Sequence, residues 1–202
     1  MVQRSVDTLT IDGGWLSLDF INTISDRFVK EPFDYLSSYP FYLDWANKLK
    51  LLDEHQVSHL KKLAKKDGVM AAKSWIQAIE VRELLYRIFL NTVKKQLIEK
   101  TDQKSLNKLL TRALNKQAIT FTKRPELCWD ISTNDLSAPL YSIIKSASDL
   151  LLSDKLERVK ECSACGWLFL DQSKNKSRRW CRMETCGSQS KARHYYQRNK
   201  TD

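Results

Sequence analysis

Over most of the chain, apolar residues recur every three to four positions, the period of a helix with one buried face. After Gly13-Gly14, the run WLSLDFINTI places Leu16, Phe20 and Ile24 at i, i+4 and i+8, which predicts a first helix. The stretch RFVKEPFDYLSSYP, with prolines at 32 and 40, reads as loop. Behind Pro40 the pattern predicts a second helix with Leu43, Ala46, Leu49 and Leu52 on related faces. Asp53 then caps a basic amphipathic helix, EHQVSHLKKLAKK, which Gly68 ends. Residues 69–99 contain no Gly or Pro and carry Trp75, Ile79, Leu85, Phe89, Val93 and Leu97 at near-helical intervals. They predict the longest helix, roughly 45 Å at ~1.5 Å per residue. Another helix follows over TDQKSLNKLLTRALNKQ, with Thr101 or Asp102 as its cap.

The period changes near residue 118. AITFTKRPELCWDIS sets β-branched and aromatic residues around a Lys-Arg-Pro-Glu turn, which predicts a hairpin pairing 118–122 with 127–131. Cys128 falls in its second strand and reads as a buried apolar residue. Helix resumes with Leu140, Ile143, Ile144, Ala147 and Leu151 as its stripe. Two strands cannot build a core alone, so the hairpin is expected to lie against the helices. The implied architecture is a mainly α domain with a small β-hairpin (α+β) over residues 1–154, and a small C-terminal unit over 155–202. Trp15, Trp45 and Trp75 are expected in the core. Asp19, Asn22 and Arg82 are polar residues inside apolar segments. They read either as a small-ligand pocket or as a buried Asp19–Arg82 ion pair with Asn22 capping or bridging. The need of a buried charge for a partner favours the ion pair.

Composition sharpens this picture. Of 202 residues 42% are hydrophobic, enough for a packed core, and Gly and Pro number only five and four, as suits long helices. The net charge is +10, but it is unevenly placed: residues 155–202 hold twelve Lys/Arg against five Asp/Glu. A basic end on a nearly charge-balanced chain points to a polyanionic partner, nucleic acid first. The N-terminus shows no apolar leader, and no run approaches the ~18 apolar residues of a membrane span. The expectation is a cytoplasmic protein with reduced thiols and no membrane partner. No nucleophile–base pair and no Gly-rich phosphate loop is visible, so no enzymatic activity is expected.

Four of the five cysteines follow the spacing Cys162-x2-Cys165-x15-Cys181-x4-Cys186. Two close pairs separated by a mid-length loop encode a tetrahedral four-sulfur site, here one structural Zn²⁺. A thioredoxin-like redox motif would need a βαβ context, which is absent, and a disulfide is disfavoured in a reducing compartment. Gly166 suits a knuckle turn; Cys181 is expected in a turn and Cys186 at the opening of a helix. Trp167, Phe169 and Trp180 can form a small core around the metal. So small a unit cannot fold by burial alone, so metal removal is expected to unfold it and leave the rest helical.

Between the pairs, QSKNKSRR presents Lys174, Lys176, Arg178 and Arg179 among small polar residues. Such side chains neutralise phosphates and donate short hydrogen bonds, and the planar Arg forks can make bidentate contacts. After Cys186, GSQSKARHYYQRNK predicts a basic helix carrying Lys191, Arg193, Tyr195 and Arg198. DNA is the first expected partner; RNA, or a protein in an adaptor role, are the alternatives.

These residues resemble the CGNR zinc-finger family. The shared pattern is Cys162-x2-Cys165, Phe169, Asp171, Ser173, then Arg178-Arg179-Trp180-Cys181, Met183, Cys186-Gly187 and a basic segment with Lys191. The chain departs from it at Ser188-Gln189, where the family has Asn-Arg; Ser188 can still cap a helix, but Gln189 lacks the charge. The N-terminal part resembles the ABATE domain, in GGWLSLDFINT, in Trp45-Ala46 and in VRELLYRIF around Arg82. The resemblance implies a bacterial, stress-related transcription regulator with a treble-clef-like finger; the N-terminal domain is expected to sense a small-molecule effector or to mediate homodimer formation.

Overall fold

Helix boundaries follow capping chemistry more closely than apolar spacing. The computed structural model describes residues 3–121 and 123–192. Helix α1 spans Leu16–Ile21, α2 Tyr39–Lys48, α3 Glu54–Lys66, α4 Gly68–Val93, α5 Lys100–Leu114 and α6 Ala138–Leu151. Strands β1 (Gln117–Phe121) and β2 (Pro125–Trp129) form one antiparallel hairpin, and β3 (Val159–Glu161) and β4 (Leu168–Leu170) form a second. The chain is thus mainly α with two small hairpins. No described helix is long and apolar enough to cross a membrane.

Several boundaries differ from expectation for local reasons. The first helix stops at Ile21, and Ile24 instead bridges Asp34. Asp53 does cap α3, in a reciprocal capping box with Gln56. Gly68, however, opens α4 instead of ending α3, because the Asp67 carboxylate accepts from the Met70 amide. Helix α4 ends at Val93 and not near 99: Lys95 turns left-handed (φ 53°) and the Gln96 amide reaches back to the Asn91 carbonyl. Asp102 does not cap α5; it forms an ion pair with Arg87 at 2.8 Å. In the β1–β2 hairpin Ile119 faces Leu127 and Phe121 faces Pro125, two residues short of the expected second strand. Pro125 lacks an amide hydrogen and suits a strand's first position. Cys128 is only half-buried, contrary to expectation, and its Sγ lies 3.4 Å from the Ala118 carbonyl.

The core centres on Trp45, fully buried with its ring 5.3 Å from that of Phe20. Trp15 and Trp75 lie half-buried at its margin and donate indole N–H bonds to the Ser146 and Leu36 carbonyls. Helix α6 adds Leu140, Ile143, Ile144, Ala147 and Leu150. The same cluster continues through Val159, Leu168 and Phe169 to Cys162 and Cys181. The helical region and the cysteine-bearing region therefore share one core.

Their joint is made by backbone. The Gly13 carbonyl accepts from the Leu170 amide at 2.8 Å, while the Gly13 amide donates to Asp19 Oδ1 at 2.7 Å. A Cβ on Gly13 would sit 2.7 Å from both the Asp19 amide nitrogen and Oδ1, so no other residue fits this turn. Asn22 Nδ2 donates to the Leu168 carbonyl at 2.8 Å, and the Leu168 amide donates to Asn22 Oδ1 at 3.0 Å. The Asn22 amide thus pairs with β4 as a neighbouring strand would. Trp167 Nε1 donates to the Ile24 carbonyl at 2.5 Å, and the Arg27 amide donates to the Cys165 carbonyl at 2.9 Å.

This geometry corrects the reading of Asp19, Asn22 and Arg82. There is no Asp19–Arg82 pair. Arg82 is buried with its guanidinium forked on Asp34, 2.8 Å to each oxygen, and it also donates to Glu83 and to Thr23 Oγ1. Asn22 does bridge, but to the second region. Asp19 closes the Gly13 turn. Burial pushes its carboxyl up to about 7, with nearby Asp12 adding to the rise and the Gly13 amide opposing it.

A carboxyl that titrates higher in the folded state binds more protons folded than unfolded. Stability is then lost as pH rises from about 4 to about 7. Asp19→Asn keeps the acceptor for Gly13 and removes the buried charge. Urea unfolding at pH 5 and pH 8 should show the wild type losing about 2–3 kcal/mol from this site between the two values. The variant should lack that component; identical pH profiles for both proteins would contradict it.

Candidate metal centre and nucleic-acid interface

Cys162 follows directly on β3, and the chain turns back through Cys165 and Gly166 into β4. Gly166 holds φ +72°, and its amide bonds the Cys162 carbonyl at 3.0 Å. The Cys162 amide in turn reaches the Trp167 carbonyl at 2.7 Å, which closes the knuckle. A Cβ on Gly166 would lie 3.0 Å from that of Arg27, so the knuckle sits flush on the N-terminal segment. Cys181 comes from the end of the intervening loop. Cys186 lies in a π-helical turn, Met183–Gly187, which runs into helix through residue 192. Knuckle, hairpin and following helix make a treble-clef arrangement.

The four Sγ atoms lie within 4.8 Å of one another, with Cys165–Cys181 and Cys181–Cys186 each at 3.7 Å. A tetrahedron with Zn–S bonds of ~2.3 Å has edges of about 3.8 Å, whereas a disulfide needs about 2.05 Å. The donor set therefore fits one structural Zn²⁺ and leaves no coordination position open. The thiols alone conflict. Hydrogen bonds from Cys165, Cys181 and Cys186 hold the Cys162 thiol well below its ordinary range, while donating to Cys162 pushes Cys165 and Cys181 up. A divalent cation stabilises all four as thiolates at once.

The residues around the second pair have structural reasons. A side chain at Gly187 would place its Cβ 2.5 Å from Met183 Sδ and 3.4 Å from the Trp180 ring. Met183 packs in the space that glycine leaves. Ser188 does not cap the helix from in front; its hydroxyl donates to the Met183 carbonyl at 3.2 Å. Gln189 is exposed.

The basic loop is organised by Asp171, a fully buried carboxylate that the sequence reading gave no role. It accepts from Lys160 Nζ at 2.8 Å, from the Ser173 amide and hydroxyl at 2.9 and 2.6 Å, and from the Arg178 amide at 3.0 Å. Burial alone would raise its carboxyl; these donors together hold it well below the usual carboxylate range. Lys160 spends its remaining donors on the Lys176 and Arg178 carbonyls. Asp-x-Ser is a recognisable turn signal, but Lys160 gave none, because it sits on the neighbouring strand.

The loop then divides its cations. Lys174, Lys176 and Arg179 are exposed. Arg178 turns inward: its guanidinium lies 4.9 Å from the Phe169 ring centroid and donates to the Cys181 carbonyl. Arg179 lies 5.5 Å over the Trp180 ring, and its carbonyl accepts from the Ser163 amide at 3.2 Å. Lys191 is exposed on the short helix. Arg193, Tyr195 and Arg198 lie outside the described residues. The structure thus gathers Lys174, Lys176 and Arg179 as exposed cations on one loop beside the metal centre, with Arg178 half-buried against Phe169.

Two family models match this chain. The one described as "CGNR zinc finger" covers residues 158–199. The one named ABATE, described as "Putative stress-induced transcription regulator", covers residues 14–154. No curated protein matches the chain.

The shared core changes the expected effect of metal removal. Because Leu168, Leu170, Trp167 and Cys165 are bonded directly to residues 13–27, loss of zinc should weaken the helical region too. Chelation should lower the melting temperature of the whole far-ultraviolet helical signal by several degrees. A helical transition unmoved by chelation would show that the finger unfolds alone.

Proposed function

The chain belongs to the ABATE family and carries a CGNR zinc finger; we propose on that footing that it regulates transcription by binding duplex DNA through the exposed face of the finger loop. The observation that supports this most is the split of the loop cations. Lys174, Lys176 and Arg179 stand free on a loop whose backbone is pinned by Asp171, Lys160 and the metal ligands. A pinned loop presents its charges without the entropy cost of ordering them on contact. Lys191 adds one more exposed cation, and Arg193, Tyr195 and Arg198 follow it in sequence. Phosphate neutralisation supplies affinity, and Arg179 is the loop's one exposed planar fork for a bidentate contact. The N-terminal region acts in this reading as the sensing module, coupled to the finger through Gly13 and Asn22. Four thiolates satisfy the zinc, so the proposed role includes no catalytic step.

The two arginines separate the possibilities. Arg179→Ala should weaken duplex binding several-fold and lower the slope of log affinity against log salt by about one, with stability unchanged. Arg178→Ala should instead destabilise the finger, by about 1–2 kcal/mol through the lost bond to the Cys181 carbonyl and the lost stacking. Fluorescence anisotropy over a salt series, beside thermal melts, reads both. Duplex affinity that is absent at low salt, or that Arg179→Ala leaves untouched, would overturn the proposal; preference for single-stranded RNA would redirect it to that partner.

A further inference from the structure

Away from the finger, a cavity of about 410 Å³ opens between α3, the end of β2 and the start of α6. One side is apolar: Leu51, Leu52, Leu60, Trp129 and Ile131. The other carries hydrogen-bonding groups from His55, Gln56, His59, Ser132, Thr133 and Ser142. Two features set its chemistry. Charged residues make up 29% of the chain, yet none lines this cavity. Two of the chain's three histidines do, one helical turn apart on α3. Among the described residues the one group of three or more metal-ligating side chains is the cysteine cluster, and the histidine pair belongs to no such group.

Trp129 supplies an aromatic wall. Its ring packs 6.3 Å from that of Tyr141, tilted by 30°, and the residue stays half-exposed at the cavity. His59 Nε2 lies 2.8 Å from Asn134 Oδ1, which ties α3 to the loop before α6 across the cavity rim. A volume in the range of small-molecule sites, one aromatic and aliphatic wall, and an edge of neutral donors and acceptors select the ligand class. Phosphates and polycarboxylates find no Lys or Arg to pair with, and organic cations find no carboxylate.

We propose that this cavity is the effector site of the N-terminal region, and that it binds an uncharged planar aromatic molecule with hydrogen-bonding atoms on its edge. The ring stacks along Trp129 and Ile131, and the edge is read by His55, His59 and the hydroxyls of Thr133 and Ser142. That its occupant is an effector rests on the sensing role proposed above; that the cavity binds such a ligand does not. The cavity loop is bonded to α2 and α6, and α6 to α1, the helix that precedes the Asn22 bridge to β4. The Leu136 carbonyl accepts from Tyr39 Oη and Tyr141 Oη donates to Asp135, while Ser146 of α6 holds both Trp15 and the Ser17 amide of α1.

Nicotinamide and indole serve as probes on the full zinc-loaded chain, with cyclohexanecarboxamide as the non-planar control and benzoate as the charged one. Ligand-observed NMR titration should show saturable binding of nicotinamide or indole with Kd on the order of 1 mM, as small ligands allow, and at least fivefold weaker binding of both controls. His55→Ala, an exposed position that leaves the core intact, and Ser142→Leu, which fills the cavity, should each weaken the planar probes at least fivefold. No saturable binding of either probe, or binding undiminished in both variants, overturns the proposal. Duplex affinity measured with and without the bound probe tests the sensing role separately: an unchanged affinity removes the effector assignment and leaves the binding site standing.

Discussion

The structure turns on the free edge of strand β4. Three residues long and buried, β4 has, among the described residues, only β3 for a strand neighbour, so its other backbone groups need partners that a small finger cannot supply. Residues 13–27 supply them: the Gly13 carbonyl to Leu170 and the Asn22 side-chain amide to both backbone groups of Leu168, while beside the strand the Ile24 carbonyl takes the Trp167 indole N–H. Leaving such groups unpaired in the interior would cost about 1–3 kcal/mol each. The finger is therefore completed by the start of the chain, more than a hundred residues away in sequence. Zinc closes it from one side and the N-terminal segment from the other.

That dependence explains what could be read in the sequence and what could not. The metal centre was legible because four cysteines and their spacing are local signals, and geometry had only to bring two pairs together. The helical class was legible for the same reason, since a 3.6-residue period is local. Asp19, Asn22 and Arg82 stood out as polar residues in apolar runs, but their partners did not. Arg82 pairs with Asp34 from a loop that carried no period, and Asn22 pairs with a backbone that has no side-chain signature. An ion pair between the two most conspicuous opposite charges was the simplest pairing, and tertiary contact overruled it. The end of α4 was missed for a related reason. Val93 and Leu97 kept the helical interval, yet Leu97 is 83% exposed, so nothing buried required the helix to continue.

The adjacent arginines make the same point about charge. In sequence Arg178 and Arg179 are equivalent members of a basic run. In space they differ: Arg179 is exposed, whereas Arg178 is half-buried and meets Phe169 and the Cys181 carbonyl. A charge count credits both to the partner; the fold uses one to hold a ligand-bearing turn. The same holds for Lys160, whose ammonium is committed to Asp171 and two loop carbonyls. The charge available to a polyanion is smaller than the composition suggests, and it is concentrated on Lys174, Lys176, Arg179 and the segment beyond Cys186.

A joint made of backbone bonds also fixes how a signal can pass. No flexible linker separates the two regions, since Val159 of β3 already belongs to the common core and α6 packs on α1 beside the Gly13 turn. A ligand that favours one arrangement of α1 therefore favours one setting of β4, and so of the knuckle bearing Cys162 and Cys165. Such coupling is reciprocal. If occupancy of the α3–α6 cavity changes affinity for DNA by some factor, DNA changes affinity for the cavity ligand by the same factor. Zinc enters the same cycle, because it binds only the assembled site and so stabilises whatever arrangement of α1 completes β4. On the proposed function, metal, effector and nucleic acid would act on one equilibrium, through the eleven residues from Gly13 to Thr23 that both the Asp19 turn and the Asn22 bridge hold in place.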